Sequence, residues 1–297
     1  MIRSLYTGIS GLRNHQIRMD VVSNNIANVN TTGFKAGRVN FQDVLAQTVG
    51  TTGINPAQVG LGITLGGIDT LHTQGGLQNT GRSLDLAIEG NGFFVLNTKN
   101  DASGKYTYTR DGTFYVSGDG YLVTAQGQYV MGSDGTNNVA INLTQLDTDG
   151  DGTYTAADQK DWDGVAGVED LPVQQIDSIQ IDENGYVYIN GYNVATGTGK
   201  IQISIANFAN PMSLTKAGSN QFEHTPGLTK PDTETDAFGA PGTPGRGIIR
   251  SGYLEMSNVD LAQEFTNMIT TQRGYQASAR VITVSDSLLE ELVQLKR

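Results

Sequence analysis

DVVSNNIANVNTTGFK, residues 20–35, closes one regime of the chain and opens another. Upstream of it Ile2, Leu5, Ile9, Leu12, Met19 and Ile26 fall at three-and-four spacing, with Leu5, Leu12, Met19 and Ile26 in heptad register, which predicts a helix from Ile2 to Asn28. Asn30 to Gly33 ends it, because Asn and Gly tolerate left-handed backbone. The ending is rich in amides where a surface helix usually carries Glu and Lys. Val22, Ile26 and Val29 form one ridge, and Asn24, Asn25 and Asn28 form another. Amides donate and accept without charge, so this ridge is expected to contact neighbouring helices, including those of identical copies.

The C-terminus mirrors the N-terminus. Leu261, Phe265, Met268, Tyr275, Ala279, Ile282, Leu289 and Val293 lie on a heptad seam interrupted by Gln272 and Asp286. Ser257 followed by Asp260 reads as a capping box for a helix of residues 258–295, about 57 Å long. Gly8, Gly11, Gly274 and several β-branched residues lower the intrinsic propensity of both ends. Each end is expected to be poorly ordered alone and to become helical when packed.

Between them the pattern changes to period two with turn punctuation. SLDLAIEGNGFFVLN, KYTYTRDGTFYVSGDGYLVTAQGQYVM, DSIQIDENGYVYINGYNV and KIQISIANFANP read as strands and hairpins joined at Asp-Gly and Asn-Gly turns. The expected fold is a mainly β body with long N- and C-terminal α-helices that pair as a coiled coil on assembly. The expected division is residues 1–35 with 253–297 as a helical domain, 36–80 as an extended connector, 81–136 with 178–252 as a β domain, and 137–177 as an acidic insertion.

Composition excludes several functions. Charged residues are 16% of the chain, below the roughly 25% of typical soluble domains. Of the formal net charge of −11, −10 falls between Gln145 and Asn190, where 11 acidic residues face Lys160. The first 40 residues are mildly basic but too sparse in cations and aromatics for a nucleic-acid stripe. Cysteine is absent, which removes disulfides, thiol nucleophiles and thiolate metal sites. No apolar run is long enough to span a membrane, and no secretory signal is evident. His15, His72 and His224 are too scattered to form a catalytic or metal centre, VGLGITLGG lacks a Walker lysine, and no carboxylate pair stands out as a glycosidase site. No enzyme activity and no required cofactor are expected.

One acidic stretch has a specific spacing. In DTDGDGTYTAAD, Asp147, Asp149 and Asp151 take positions 1, 3 and 5 of an EF-hand-type loop, with Gly152 at 6, the Thr153 carbonyl at 7, and Asp158 at 12 where Glu is usual. Calcium is the cation such an oxygen cage would take. A secreted calcium-dependent carbohydrate binder would use this loop but leave the heptad termini without purpose.

SLYTGISGL, MDVVSNNIANVNTTGFK, QGGLQNTGRSLDLAIEGNGFF, YTRDGTF, FANPMSLTKAGSNQF and SGYLEMSNVDLAQEFTNMITTQRGYQASARVI occur in this order from residue 4 toward the C-terminus. They resemble the axial proteins of the bacterial flagellum, the rod and hook subunits. Within that family the short hook subunit of Gram-positive type is the nearer resemblance and the distal rod subunit the second. Ser278 departs slightly from the family pattern, and residues 137–177 lie outside it. The resemblance implies a subunit exported by the flagellar type III apparatus, located in the extracellular hook or basal body region. It would polymerise with itself and meet rod, hook cap and hook–filament junction proteins, forming a universal joint that transmits torque. It implies no membrane insertion and no nucleic-acid partner. The residues expected to carry assembly are Leu5, Leu12, Met19, Asn24, Asn25, Asn28, Leu261, Phe265, Met268, Tyr275, Ile282 and Leu289.

Overall fold

The structure, a computed structural model, describes residues 2–52, 55–100, 104–134, 138–144, 146–147, 178–196, 199–224 and 238–295. They are mostly β, with two long helices. The chain divides into two compact units.

The first unit comprises the chain up to Asn30, Lys35–Thr73, and the chain from Asn258 onward. It holds α1 (Ile2–Ala27), α2 (Leu261–Leu295) and four strands: β1 (Gly37–Asp43), β2 (Ala46–Thr52), β3 (Asn55–Gly60) and β4 (Ile63–Thr70). α2 starts at Leu261 because Asp260 is its cap: Asp260 Oδ1 accepts from Ala262 N at 2.9 Å and Gln263 N at 3.3 Å. Of the capping pair expected of Ser257 and Asp260, Asp260 holds the first-turn N–H groups.

The segment expected as an extended connector is a long two-stranded ribbon over 37–70. β1 pairs antiparallel with β4 from Gly37↔Thr70 to Asp43↔Ile63, and β2 pairs with β3 from Ala46↔Gly60 to Thr52↔Asn55. Hydrogen bonds from Val44 N to Gly62 O and from Leu61 N to Leu45 O carry the ladder across the junction. A bulge at Asn40/Phe41 bends it. The ribbon escapes notice in the sequence because Val44, Leu45, Val59 and Ile68 stay exposed, so no buried face imposes strict alternation.

The second unit comprises Thr31–Phe34 and Gln74–Ser257. β5 (Leu77–Asn79) and β6 (Leu86–Glu89) stand outside its principal sheet, pairing with Tyr253–Glu255 and Ile248–Ser251 respectively. The spine runs through β7 (Phe93–Asn97), β8 (Tyr106–Thr109), β9 (Phe114–Val116), β10 (Leu122–Thr124) and β11 (Tyr129–Ser133). The order is Thr215–Gly218, Gln221–Glu223, β8, β7, β11, β10, β9. A second sheet is built on Ile179–Ile181, Val187–Ile189 and Tyr192–Thr196. Period two explains the core: on β7, Phe94 and Leu96 join a cluster with Phe114, Ile141 and Ile249, while Phe93 and Val95 join another with Tyr108, Phe208 and Phe222. Both faces of β7 are buried, which is why its sequence reads as a continuous apolar run.

A buried ion pair fixes the segments that converge in this unit. Arg110 Nη1 reaches Glu255 Oε2 at 3.1 Å, with side chains 5% and 0% exposed. Arg110 also donates to the carbonyls of Ile88 and Gly90, and its guanidinium stands 5.3 Å from the Phe93 ring centroid. Glu255 Oε1 accepts from Gly75 N at 2.9 Å, and its backbone carbonyl from Gly33 N at 2.8 Å. Burial lowers the Arg110 guanidinium from its ordinary value, and Glu255 opposes that shift. Thr32 and Gly33 are held further by Thr32 Oγ1 donating to Asp111 Oδ1 and by Asn220 Nδ2 donating to Thr32 O. Gly33 has φ +66°, and a Cβ there would stand 2.5 Å from Asp111 N, so no other residue fits.

Replacing Glu255 by Ala would strand the Arg110 charge in the core. The expected loss is about 3–5 kcal/mol of stability, read from denaturant unfolding of the full chain. A loss below about 1 kcal/mol would show that the pair does not hold these segments.

Candidate functional site

α1 and α2 lie antiparallel and meet in step. Ser4 Oγ is 3.2 Å from Ser285 Oγ, and Asn25 Nδ2 donates to Glu264 Oε2 at 3.3 Å. Between these points the backbones approach closely at glycines. A Cβ on Gly8 would stand 3.0 Å from Ile282 Cγ1, one on Gly11 2.8 Å from Ser278 Oγ, and one on Gly274 2.7 Å from His15 Cε1. Side chains are missing where the helices touch, and Thr271 and Ser285 are the residues α2 buries.

This seam is offset by one residue from the expected leucine heptad. Leu5, Leu12, Met19 and Ile26 flank it, half-buried. Met268, Ile282 and Leu289 are half-buried on α2, whereas Leu261, Phe265 and Tyr275 are exposed. Small residues take the seam because they allow close approach, which leaves the large apolar residues on the outer faces. A second outer stripe was not anticipated: Val281, Val284, Leu288, Leu292 and Leu295 recur every three or four residues and are 45% to 83% exposed. Since Ser4 meets Ser285, the stripe shares an end with the exposed Tyr6 and Ile9 of α1. Among the described residues no helix is long and apolar enough to cross a membrane, so these faces are not read as membrane spans.

Within the amide ridge, Asn25 does different work from that expected. Asn25 is 2% exposed, donates to Gly37 O and accepts from Gly37 N, both at 2.9 Å, and spends its other N–H on Glu264. Its contacts lie within the chain, where it substitutes for a strand partner at the start of β1; burial leaves it nothing to offer another copy. Asn28 Nδ2 donates to Asn24 O on the same helix, and Asn24 is exposed.

The two terminal segments meet through a second amide, the half-buried Asn258. Asn258 Oδ1 accepts from Ala36 N at 2.8 Å, while its Nδ2 donates to Leu71 O and Thr73 Oγ1, each at 2.8 Å. Lys35, 2% exposed, donates from Nζ to Thr73 O at 2.7 Å. Lys35, Asn258, Glu264 and the seam residues Ser4, Gly8, Gly11, His15, Gly274, Ser278 and Ser285 were not singled out from the sequence as contact residues. The available signal was the recurrence of Gly and Ser at helical spacing on both ends.

Asp147 ends the strand Leu146–Asp147, paired with Asn193. Asp149, Asp151, Thr153 and Asp158 lie outside the described residues. Among the described residues no group of three or more His, Asp or Glu is placed to hold a metal ion.

Asn25→Ala would leave both backbone groups of Gly37 unpaired and cost about 1–3 kcal/mol. Asn25→Asp adds a carboxylate facing Glu264 and should cost more. Thermal unfolding followed by circular dichroism checks this, with the Asp variant alone recovering part of its loss as the carboxylates protonate.

Three family descriptions match this chain: flagella basal body rod protein over residues 5–35, flagellar hook protein FlgE/F/G D1 domain over 87–189, and flagellar basal body rod FlgEFG protein C-terminal over 250–295. Among similar proteins, flagellar basal-body rod protein FlgG of Bacillus subtilis (strain 168) is 41% identical over 305 aligned positions spanning the whole of both chains. Flagellar hook protein FlgE of Borreliella burgdorferi is 32% identical over 454 positions, and FlgG of the same species 34% over 311, again spanning both chains fully. The glycine-lined helix pair, with Lys35 and Asn258 beside it, thus comes from the segments that two of these descriptions match, and the chain belongs to the flagellar rod and hook family of axial structural proteins, which are not enzymes.

Proposed function

We propose that this chain is the structural subunit of the flagellar hook, polymerising into a helical tube that acts as a universal joint between motor and filament. The observation that carries this is the uncovered apolar stripe Val281, Val284, Leu288, Leu292 and Leu295 on a helix whose seam is already occupied. A long helix with a free apolar face needs a further partner, and a second copy supplies one. Charge is compatible: α1 carries Arg3, Arg13 and Arg18 before its first acid, and the end of α2 carries Asp286, Glu290 and Glu291. A head-to-tail contact of this kind that does not close on itself yields a filament. Leu5, Leu12, Met19, Asn24, Asn28, Leu261, Phe265, Met268, Tyr275 and Leu289 flank or lie outside the seam, Ile282 borders it at Gly8, and all of them are assigned to contacts between copies. The type III export apparatus, rod, hook cap and hook–filament junction proteins are the further partners, and the extracellular hook is the location.

The distal rod is the second reading. It is favoured by the 41% identity, over the whole of both chains, to a protein named as the rod subunit. Electron microscopy of cells lacking the gene separates the two. A complete rod without a hook supports the hook subunit, and an arrested rod supports the rod subunit. Deleting residues 260–297 should abolish polymerisation and motility; a truncated chain that still forms filaments would reject assembly through the helices.

For the 147–158 loop we propose calcium binding through Asp147, Asp149, Asp151, the Thr153 carbonyl and Asp158, on the spacing of these residues alone. Calorimetry on the full chain should show calcium heat that Asp151→Ala and Asp158→Ala reduce. Heat absent at about millimolar ion, or unchanged by both substitutions, removes the site.

A further inference from the structure

The helix seam is built largely from residues that could be exchanged for one another. α2 carries Thr271, Ser278 and Ser285 at successive seven-residue steps, and α1 carries Ser4 and Gly11 opposite the last two. A slip of one heptad would set Ser4 against Ser278 and Gly11 against Thr271. Small residues would replace small residues, and close approach would survive. Register is weakly specified wherever a pattern repeats in this way.

Besides the Asn25–Glu264 contact at the far end, a contact in the middle of the seam does not repeat. The His15 ring lies flat against α2 at Gly274, its Cε1, Nε2 and Nδ1 atoms 2.7, 2.8 and 3.2 Å from where a Cβ would stand. One heptad to either side of Gly274 are Asn267 and Val281, whose side chains would fill the space the ring occupies. From β1, Phe41 meets the ring edge to face, with centroids 6.4 Å apart and planes at 70°. We propose that His15, seated on Gly274, sets the register in which the two terminal helices pair. The inference concerns contacts within one chain and stands apart from which axial segment the protein builds.

The chemistry of the seat gives this role a signature that plain packing lacks. Nδ1 is buried without a hydrogen-bond partner among the described residues. The α2 residues at the seat, Thr271, Gly274 and Ser278, are uncharged, β1 offers Phe41, and Arg18 is the charged neighbour on α1. Burial first and Arg18 second hold the imidazole below its ordinary value of 6.5. The neutral ring is the form that fits. Its contribution is therefore complete above that ordinary value and is lost as the pH falls through the lower value of the folded chain.

Because the chain has no cysteine, an engineered pair would be its only thiols. Ser4→Cys with Ser285→Cys reports the observed register, and Ser4→Cys with Ser278→Cys reports a one-heptad slip. The full-length chain is oxidised mildly, and intrachain bridges are read as monomer bands on a non-reducing gel. The observed-register pair should close and the slipped pair should not. His15→Ala or Gly274→Ala should raise the ratio of slipped to observed bridge about tenfold or more. Lowering the pH from about 8 to about 5 should move the ratio in the same direction when His15 is present. His15→Phe, a ring without a titrating nitrogen, should keep the register at both pH values. A ratio unmoved by both substitutions, a pH effect that persists in His15→Phe, or failure of both bridges in the parent chain would each overturn the proposal.

Discussion

The helix pair closes only because the chain gives up side chains where α1 and α2 touch. Gly8, Gly11 and Gly274 each cost helical propensity, on the order of 1 kcal/mol against Ala. Any β-carbon at Gly11 or Gly274 would collide with Ser278 or His15. The geometry follows from that sacrifice. A seam built mainly of glycine, serine and threonine brings the two backbones together, and it leaves most of the exposed large apolar residues of α2 on the outer faces.

Buried polarity at the two junctions follows one rule: the amides and the ion pair that leave water there are turned onto backbone groups of defined geometry. Asn25 and Asn258 serve backbone groups that no strand partner reaches. Arg110 and Glu255 neutralise each other and reach the backbone of Gly75, Ile88 and Gly90. An amide fits a corner better than a charge, because it offers a donor and an acceptor with no ion to desolvate. That accounts for Asn25 in a segment where a helix would ordinarily end in Lys or Glu.

Much of this was legible in the residues. Heptad spacing gave both helices nearly to their ends, and alternation with Gly turns gave the β body. The continuous run at β7 reads as a strand because both of its faces are covered. Three things were hidden. The ribbon of β1 to β4 lacks a buried face and so has no period to read. The seam was masked by the leucines beside it, since glycine at helical spacing looks like weakness until a second helix is seen against it. Asn25 sits on a ridge with Asn24 and Asn28, and spacing alone does not say that one of the three turns inward. The carboxylate loop at 147–158 is still known by its spacing only.

The mouth of the ribbon has a mechanical consequence. β1 and β4 enter side by side, Gly37 opposite Thr70, so tension between their outer ends would pull the ladder apart rung by rung, the weakest way to load a hairpin. Lys35 and Asn258 cross-brace that opening: Lys35 holds Thr73, and Asn258 holds Ala36 on one side and Leu71 and Thr73 on the other. Several bonds must fail together before the first rung is exposed. Because one brace comes from the segment that leads into α2, the C-terminal end of the chain works as a rivet through the N-terminal hairpin, turning a peeling geometry into a shared load.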